Sequence, residues 1–231
     1  MNYRDQFVRF LLGSGALAFG DFTLKSGRKS PYMINMGMIN TGASLSQIGC
    51  FYAHAITEKI EQGMIPQETN ILFGSAYKGI PLAAAAAIAI STEYGRAINY
   101  TFNRKEAKDH GEGGVFVGKN PGAGDRILIV DDVMTAGTAL RDTFDLLSSL
   151  TPEAKVVGSM IAVDRKECGR DPRFSAVEET KKELGVPVFS IIDIDEIVAL
   201  LKSGTLAGEA GGGQVAAIEA YLEKYRAPAV K

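Results

Sequence analysis

Cysteine is scarce, neither sign of charge is in excess, and no apolar run is long enough to cross a membrane. Each gap removes a class of protein. The two cysteines, Cys50 and Cys168, lie far apart at no metal-ligand spacing, so the chain encodes no disulfide framework and the pair reads as packing residues in a reduced compartment. Lys plus Arg (25) nearly balances Asp plus Glu (27). No global field therefore draws the chain toward nucleic acid or an anionic membrane, and any grip on an anion must come from a local cluster. The opening MNYRDQFVRFLLG interrupts its apolar residues with charges at helical spacing. That argues against a signal peptide or a membrane span, and gives a cytoplasmic location as the default expectation.

What is present suits one α/β domain over residues 1–231, long enough to bury a sizeable core. Phe7, Phe10 and Leu11 space a helix that ends near Gly13–Gly15, and a second helix is expected around residues 44–62. Between them FTLKSGRKSPYMINMGMINTG, broken by Gly27, Pro31 and Gly37, is extended in character and lies outside a central sheet. From residue 70 short apolar strands alternate with helical stretches: NILFG, INYTF, RILIV, KVVGSMIAV and VPVFSIIDI. Such alternation predicts a mostly parallel sheet flanked by helices. A glycine-rich connector, residues 204–214, leads to a last helix, VAAIEAYLEKY.

In such folds ligands bind beyond the carboxyl ends of the strands. The exits here read SAYKG, NRKEAKDHGEGG, DDVMTAGT and DRKECG. RILIV has the length and branching of a buried strand, so Asp131 and Asp132 stand where the chain leaves the sheet. Thr135, Ala136, Gly137 and Thr138 then form a small-residue turn into a helix, whose free N–H groups suit a phosphate. Asp132 or Thr135 acting only as a helix cap would account for one acid of the two. A pair of carboxylates beside a phosphate cradle instead suits a ligand with both hydroxyls and phosphate, and can hold magnesium through water.

Two other exits carry cations. Arg104, Lys105, Lys108 and His110 fall within seven residues, followed by Gly111, Gly113 and Gly114. The stretch is either a solvated surface loop or a glycine-hinged lid over a pyrophosphate. Lys78 precedes a helix that Pro81 would start, where the helix dipole disfavours a cation unless an anion sits nearby. The run Ala83–Ala87 favours close helix packing.

ILIVDDVMTAGTAL resembles the phosphoribosyl-diphosphate (PRPP) signature of type I phosphoribosyltransferases. FNRKEAKDHGEGG resembles the mobile catalytic loop of the orotate phosphoribosyltransferases, and FTLKSGRKSPY their N-terminal substrate segment. With SAYKGIP, four motifs match in order over nearly the whole chain. The resemblance implies a type I phosphoribosyltransferase fold with a small N-terminal hood, and the reaction of PRPP with orotate to give orotidine 5′-monophosphate and pyrophosphate. It implies catalytic roles for Lys78, Lys108, His110, Asp131 and Asp132. PRPP binding would fall on these five together with Lys25, Tyr77, Arg104, Lys105 and the segment Val133, Met134, Thr135, Ala136, Gly137, Thr138 and Ala139. Met33, Ile34, Thr135 and Arg165 would meet orotate, whose carboxylate an arginine can grip with paired hydrogen bonds. Met33 and Ile34 stand where the family often carries aromatic residues, which keeps apolar contact but loses ring stacking. Magnesium, held mainly through PRPP and water rather than by direct protein ligands, is the implied cofactor. A homodimer sharing the lid of residues 104–114 across its interface is the implied assembly. A phosphoribosyltransferase for another base would share the PRPP signature but would not need Arg165, and a non-catalytic nucleotide-binding or RNA-binding regulator would not need the lid.

Overall fold

Alternate side chains of the short apolar strands go to opposite faces of one sheet, and helices bury both faces. The computed structural model describes residues 2–24, 27–108, 114–134, 137–204, 206 and 212–228, the side chains of residues 106–108 and 212 excepted. In chain order the elements are α1 (Tyr3–Gly13), β1 (Leu17–Thr23), β2 (Lys29–Ile34), α2 (Gly42–Glu61), β3 (Ile71–Gly74), α3 (Gly79–Glu93), β4 (Asn99–Lys108) and β5 (Gly114–Gly118). There follow β6 (Arg126–Val130), α4 (Thr138–Leu150), β7 (Lys155–Asp164), α5 (Ala176–Leu184), β8 (Val188–Asp193), α6 (Ile194–Lys202) and α7 (Gly212–Tyr225).

Six strands form the main sheet in the order β5-β4-β3-β6-β7-β8. All neighbours run parallel except β5, which returns antiparallel along β4. Leu72, Leu128, Val130, Met160 and Ala162 point into a core shared with α1, α2, α3, α6 and α7. Ile71, Phe73, Ile127, Ile129 and Ile161 point the other way, toward α4 and α5. Strands covered on both faces read as continuous apolar runs, which is why their alternation is invisible in sequence. The alanine run does what its composition implies. A Cβ at Gly49 of α2 would fall 2.8 Å from the backbone of Ala85, so α2 and α3 lie closer than larger side chains would permit.

Two sequence expectations need correction. NRKEAK is not loop: β4 runs on through Lys108, and GVFVG, unassigned in sequence, is its partner β5. The charged stretch NRKEAK is therefore the end of β4 beside the edge strand β5, where charge is tolerated and hides the strand signal. The helix after Lys78 starts at Gly79 rather than Pro81. Pro81 sits in its first turn, where the missing N–H would have had no partner in any case. The hood is expected to come mainly from the N-terminal segment. β1 and β2 form a two-stranded antiparallel sheet, and α7 from the far end of the chain packs on β2, the Tyr221 ring meeting the Tyr32 ring edge-on at 5.9 Å.

Candidate active site

The acid pair is held by its backbone, which frees its side chains. The Asp131 N–H donates to the Met160 carbonyl (3.1 Å), and the Asp132 carbonyl accepts from the Ala162 N–H (2.8 Å), so β7 carries both residues past the end of β6. From α2 the buried Tyr52 hydroxyl donates to the Asp131 carbonyl at 2.6 Å. Tyr52 is a supporting residue that no motif marks, because it lies 79 positions away in sequence.

The two carboxylates differ. Asp132 pairs with the Lys78 ammonium at 2.9 Å and accepts a hydrogen bond from the Val133 N–H at 2.7 Å. Asp131 accepts from the Asp132 N–H at 2.9 Å. Burial pushes the Asp131 carboxyl up to about 6, and the neighbouring Asp132 charge adds to the rise. The Asp132 N–H, Lys78 and the Ser75 hydroxyl pull the other way. Asp131 is thus not the solvent-facing carboxylate that its place at a strand exit implies. Lys78 is itself the N-cap of α3, and the anion that its awkward position calls for is supplied within the chain by Asp132.

Opposite the acids, α4 begins after Gly137, which adopts a left-handed conformation (φ 70°). A Cβ there would lie 2.4 Å from the Thr180 hydroxyl of α5, so both backbone and packing require glycine. Glycine also leaves the first amides of α4 without a side-chain cap from that position, and the suggestion that Asp132 serves as the cap is not met. Asp131, Val133, Met134, Gly137, Thr138, Ala139, Leu140, Ser159 and Ile161 line one cavity of about 230 Å³. Ser159, absent from the sequence reading, is fully buried there. Its hydroxyl has no hydrogen-bond partner among the described residues.

The other expected residues divide clearly. Lys25, His110, Thr135 and Ala136 lie outside the described residues, as does the side chain of Lys108. Tyr77 is next to Lys78 and is 71% exposed. Arg104 and Lys105 stand on β4, separated from the acid pair by β3, and among the described residues neither pairs with an acid. Met33 and Ile34 are consecutive on β2 and so point to opposite faces of it. Ile34 shares its face with Tyr32 and packs on the core, while Met33 does not.

Arg165, just past the end of β7, is only 5% exposed. Its ion pair is buried with it: Nε and Nη2 reach Glu167 at 2.7 and 2.6 Å. The guanidinium lies over the Tyr32 ring, 4.2 Å from its centre, with the Ser30 hydroxyl at 3.4 Å. Burial would lower the guanidinium pKa, but Tyr32 and Glu167 raise it above its ordinary value. Burial likewise pushes the Tyr32 phenol well up, against the pull of Arg165.

A model of the phosphoribosyl transferase domain matches residues 46–191. An orotate phosphoribosyltransferase of Bifidobacterium adolescentis is 46% identical over 228 residues, covering 96% of this chain and 97% of that protein. One from Stutzerimonas stutzeri is 44% identical over 224 residues, covering 96% and 98%. The crystal structure of orotate phosphoribosyltransferase from Francisella tularensis superimposes with a TM-score of 0.81 at 35% identity, covering 96% of this chain and all of that one. By sequence along nearly its full length and by fold, this chain belongs to the orotate phosphoribosyltransferase family.

Proposed function

We propose that the chain, acting as a single phosphoribosyltransferase domain, transfers the ribose 5-phosphate group of PRPP to orotate. The products are orotidine 5′-monophosphate and pyrophosphate, a step of pyrimidine nucleotide synthesis. The observation that carries this reading is the facing of Asp131 and the uncapped start of α4 across one cavity, with Asp132 and Lys78 beside it. Helix amides suit the 5-phosphate, and carboxylates suit the ribose hydroxyls. The segment from Val133 to Ala139, including Thr135 and Ala136, wraps the 5-phosphate, while Tyr77 and Lys78 flank the diphosphate.

The reaction needs no protein nucleophile. A ring nitrogen of orotate bonds to the anomeric carbon as the bond from that carbon to pyrophosphate breaks. The protein's task is to stabilise charge on the leaving group and to exclude water. Lys78 does the first from α3. Lys25, Arg104, Lys105, Lys108 and His110 add to it, and closure of the lid of residues 104–114 does the second. Arg165 receives the orotate carboxylate, with Thr135 and the hood strand carrying Met33 and Ile34 beside the ring.

A partly desolvated Asp131 with a carboxyl near 6 is a group that hydroxyl donors or a nearby cation would stabilise as the anion, so the residues present fit a magnesium ion carried in with PRPP. Bound there through water to Asp131 and Asp132, magnesium would offset the charge of the departing pyrophosphate. The exposed Ile88 on α3 and Tyr100 on β4, elements packed together, support a homodimer in which the hairpin reaches the partner's site. Among the described residues no helix is long and apolar enough to cross a membrane, which is compatible with a cytoplasmic location.

The test is direct. Purified protein is incubated with PRPP, magnesium and one base at a time, and loss of orotate absorbance is followed. Orotate alone should be consumed, and only with PRPP and a divalent cation present. Equal use of adenine, guanine or uracil overturns the orotate assignment, and absence of any PRPP-dependent turnover overturns the enzymatic one.

A further inference from the structure

Glu167 lies two residues beyond Arg165 in the exit DRKECG, with no role assigned to it so far, yet it is the most connected carboxylate around the hood. One oxygen takes Arg165 through Nε and Nη2 at 2.7 and 2.6 Å, with the Tyr32 hydroxyl at 3.4 Å. The other takes Arg28 Nη1 at 3.1 Å. Its side chain is 12% exposed. Its backbone is anchored as well: the Glu167 carbonyl accepts from the Ala176 N–H at 3.1 Å, and the residue forms an antiparallel bridge with Arg226 just after α7. Aromatic rings close the surroundings, with Arg165 over Tyr32, Tyr221 edge-on to Tyr32, and Arg28 5.1 Å from the centre of the Tyr225 ring.

Charge counting gives this cluster a direction. Two guanidiniums share one carboxylate, which leaves one positive charge in a largely buried setting, while the neighbouring Lys166 is already satisfied by Asp193 and Asp195. A buried ion pair seldom stabilises a fold more than apolar packing would. An uncompensated one is costly unless an anion completes it. A planar carboxylate of single charge matches the deficit and the arginine fork. Because Glu167 occupies the Nε–Nη2 edge of Arg165, it also fixes which way the guanidinium faces.

We infer that Glu167 is a positioning residue for the orotate carboxylate: it holds Arg165 against Tyr32 and ties it to Arg28 of the hood, so that the guanidinium is presented to the substrate in one orientation. The inference rests on the assignment of Arg165 to orotate. It gives α7 a part in substrate selection, since Tyr221 and Tyr225 of that helix, with Arg226 just after it, back the cluster.

The experiment compares wild type with Glu167→Gln and Glu167→Asp, varying orotate at saturating PRPP and then PRPP at saturating orotate. Wild-type consumption of orotate is measured first, and its absence would overturn the underlying activity rather than the role of Glu167. Glu167→Gln keeps the shape and removes the charge. Its KM for orotate should rise about tenfold or more, the scale of a lost buried charge contact, with KM for PRPP within about twofold of wild type. Glu167→Asp keeps the charge on a shorter arm and should recover part of the loss. Should the Gln variant fail to fold, the Asp variant decides alone by the same comparison of the two KM values. An orotate KM that is unchanged or lower in a folded variant overturns the inference; a lower one would mean that Glu167 competes with the substrate for Arg165. Equal increases in both KM values would also overturn it.

Discussion

Replacing Asp131 by Asn should make the protein more stable and less active, and the stability gain should depend on pH in a defined window. The folded carboxyl titrates near 6 against an ordinary value of 3.8, with burial as the largest cause. The folded state therefore holds the Asp131 proton more tightly than the unfolded chain does. That contribution to stability is complete below 3.8 and is lost as pH rises through about 6. At pH 8 the folded protein carries a desolvated charge. Each pKa unit is worth about 1.4 kcal/mol, and with some discount for the partial exposure of the side chain the cost is on the order of 2 kcal/mol. Asn keeps an oxygen to accept from the Asp132 N–H and carries no charge. Thermal melts at pH 8 should place the variant about 4–8 °C above wild type, and the gap should close as pH falls toward 4. Activity should fall tenfold or more, each tenfold being about 1.4 kcal/mol of transition-state stabilisation. PRPP with magnesium should raise the melting temperature of wild type more than that of the variant. A variant less stable than wild type at pH 8, or a gap that does not change with pH, would refute the reasoning.

Three further outcomes are expected. Gly137→Ala should destabilise by about 1–2 kcal/mol through its left-handed backbone alone, and should raise KM for PRPP. Adding Thr180→Ala should restore the steric part of the loss, and melting curves of the single and double variants measure the split. Lys78→Met should lower kcat and further raise the apparent pKa of Asp131, read from the pH dependence of stability, because it removes a nearby cation. Lys108→Ala and Asp131→Asn, each nearly inactive alone, should recover about a quarter of wild-type activity when their subunits are exchanged, since half of the dimers are mixed and one site in each is intact. No recovery despite verified exchange would eliminate the shared site.

Sequence by itself determined the parts of this protein that are written contiguously. RILIV, the acid pair and the small-residue turn form one strand-turn-helix unit, so its chemistry is local and its order along the chain is its order in space. The alternation after residue 70 likewise fixed a parallel sheet, because only helical crossovers can connect such strands. Tertiary structure decided what depends on partners far away in the chain. Apolar spacing reports which face of an element is buried, not what covers it, so the packing of α7 on the hood was beyond its reach. The charged half of β4 could be recognised as strand only beside β5. Carboxylate pKa depends on burial and neighbours in three dimensions, so two adjacent aspartates that are alike in sequence become unlike: Asp132 meets Lys78 from the start of α3, and Asp131 is desolvated above Tyr52. Arg165 reads as an exposed cation at a strand exit. It is buried because Ser30, Tyr32 and Glu167 converge on it from two separate stretches of chain, and that convergence exists only once the hood has closed on the sheet.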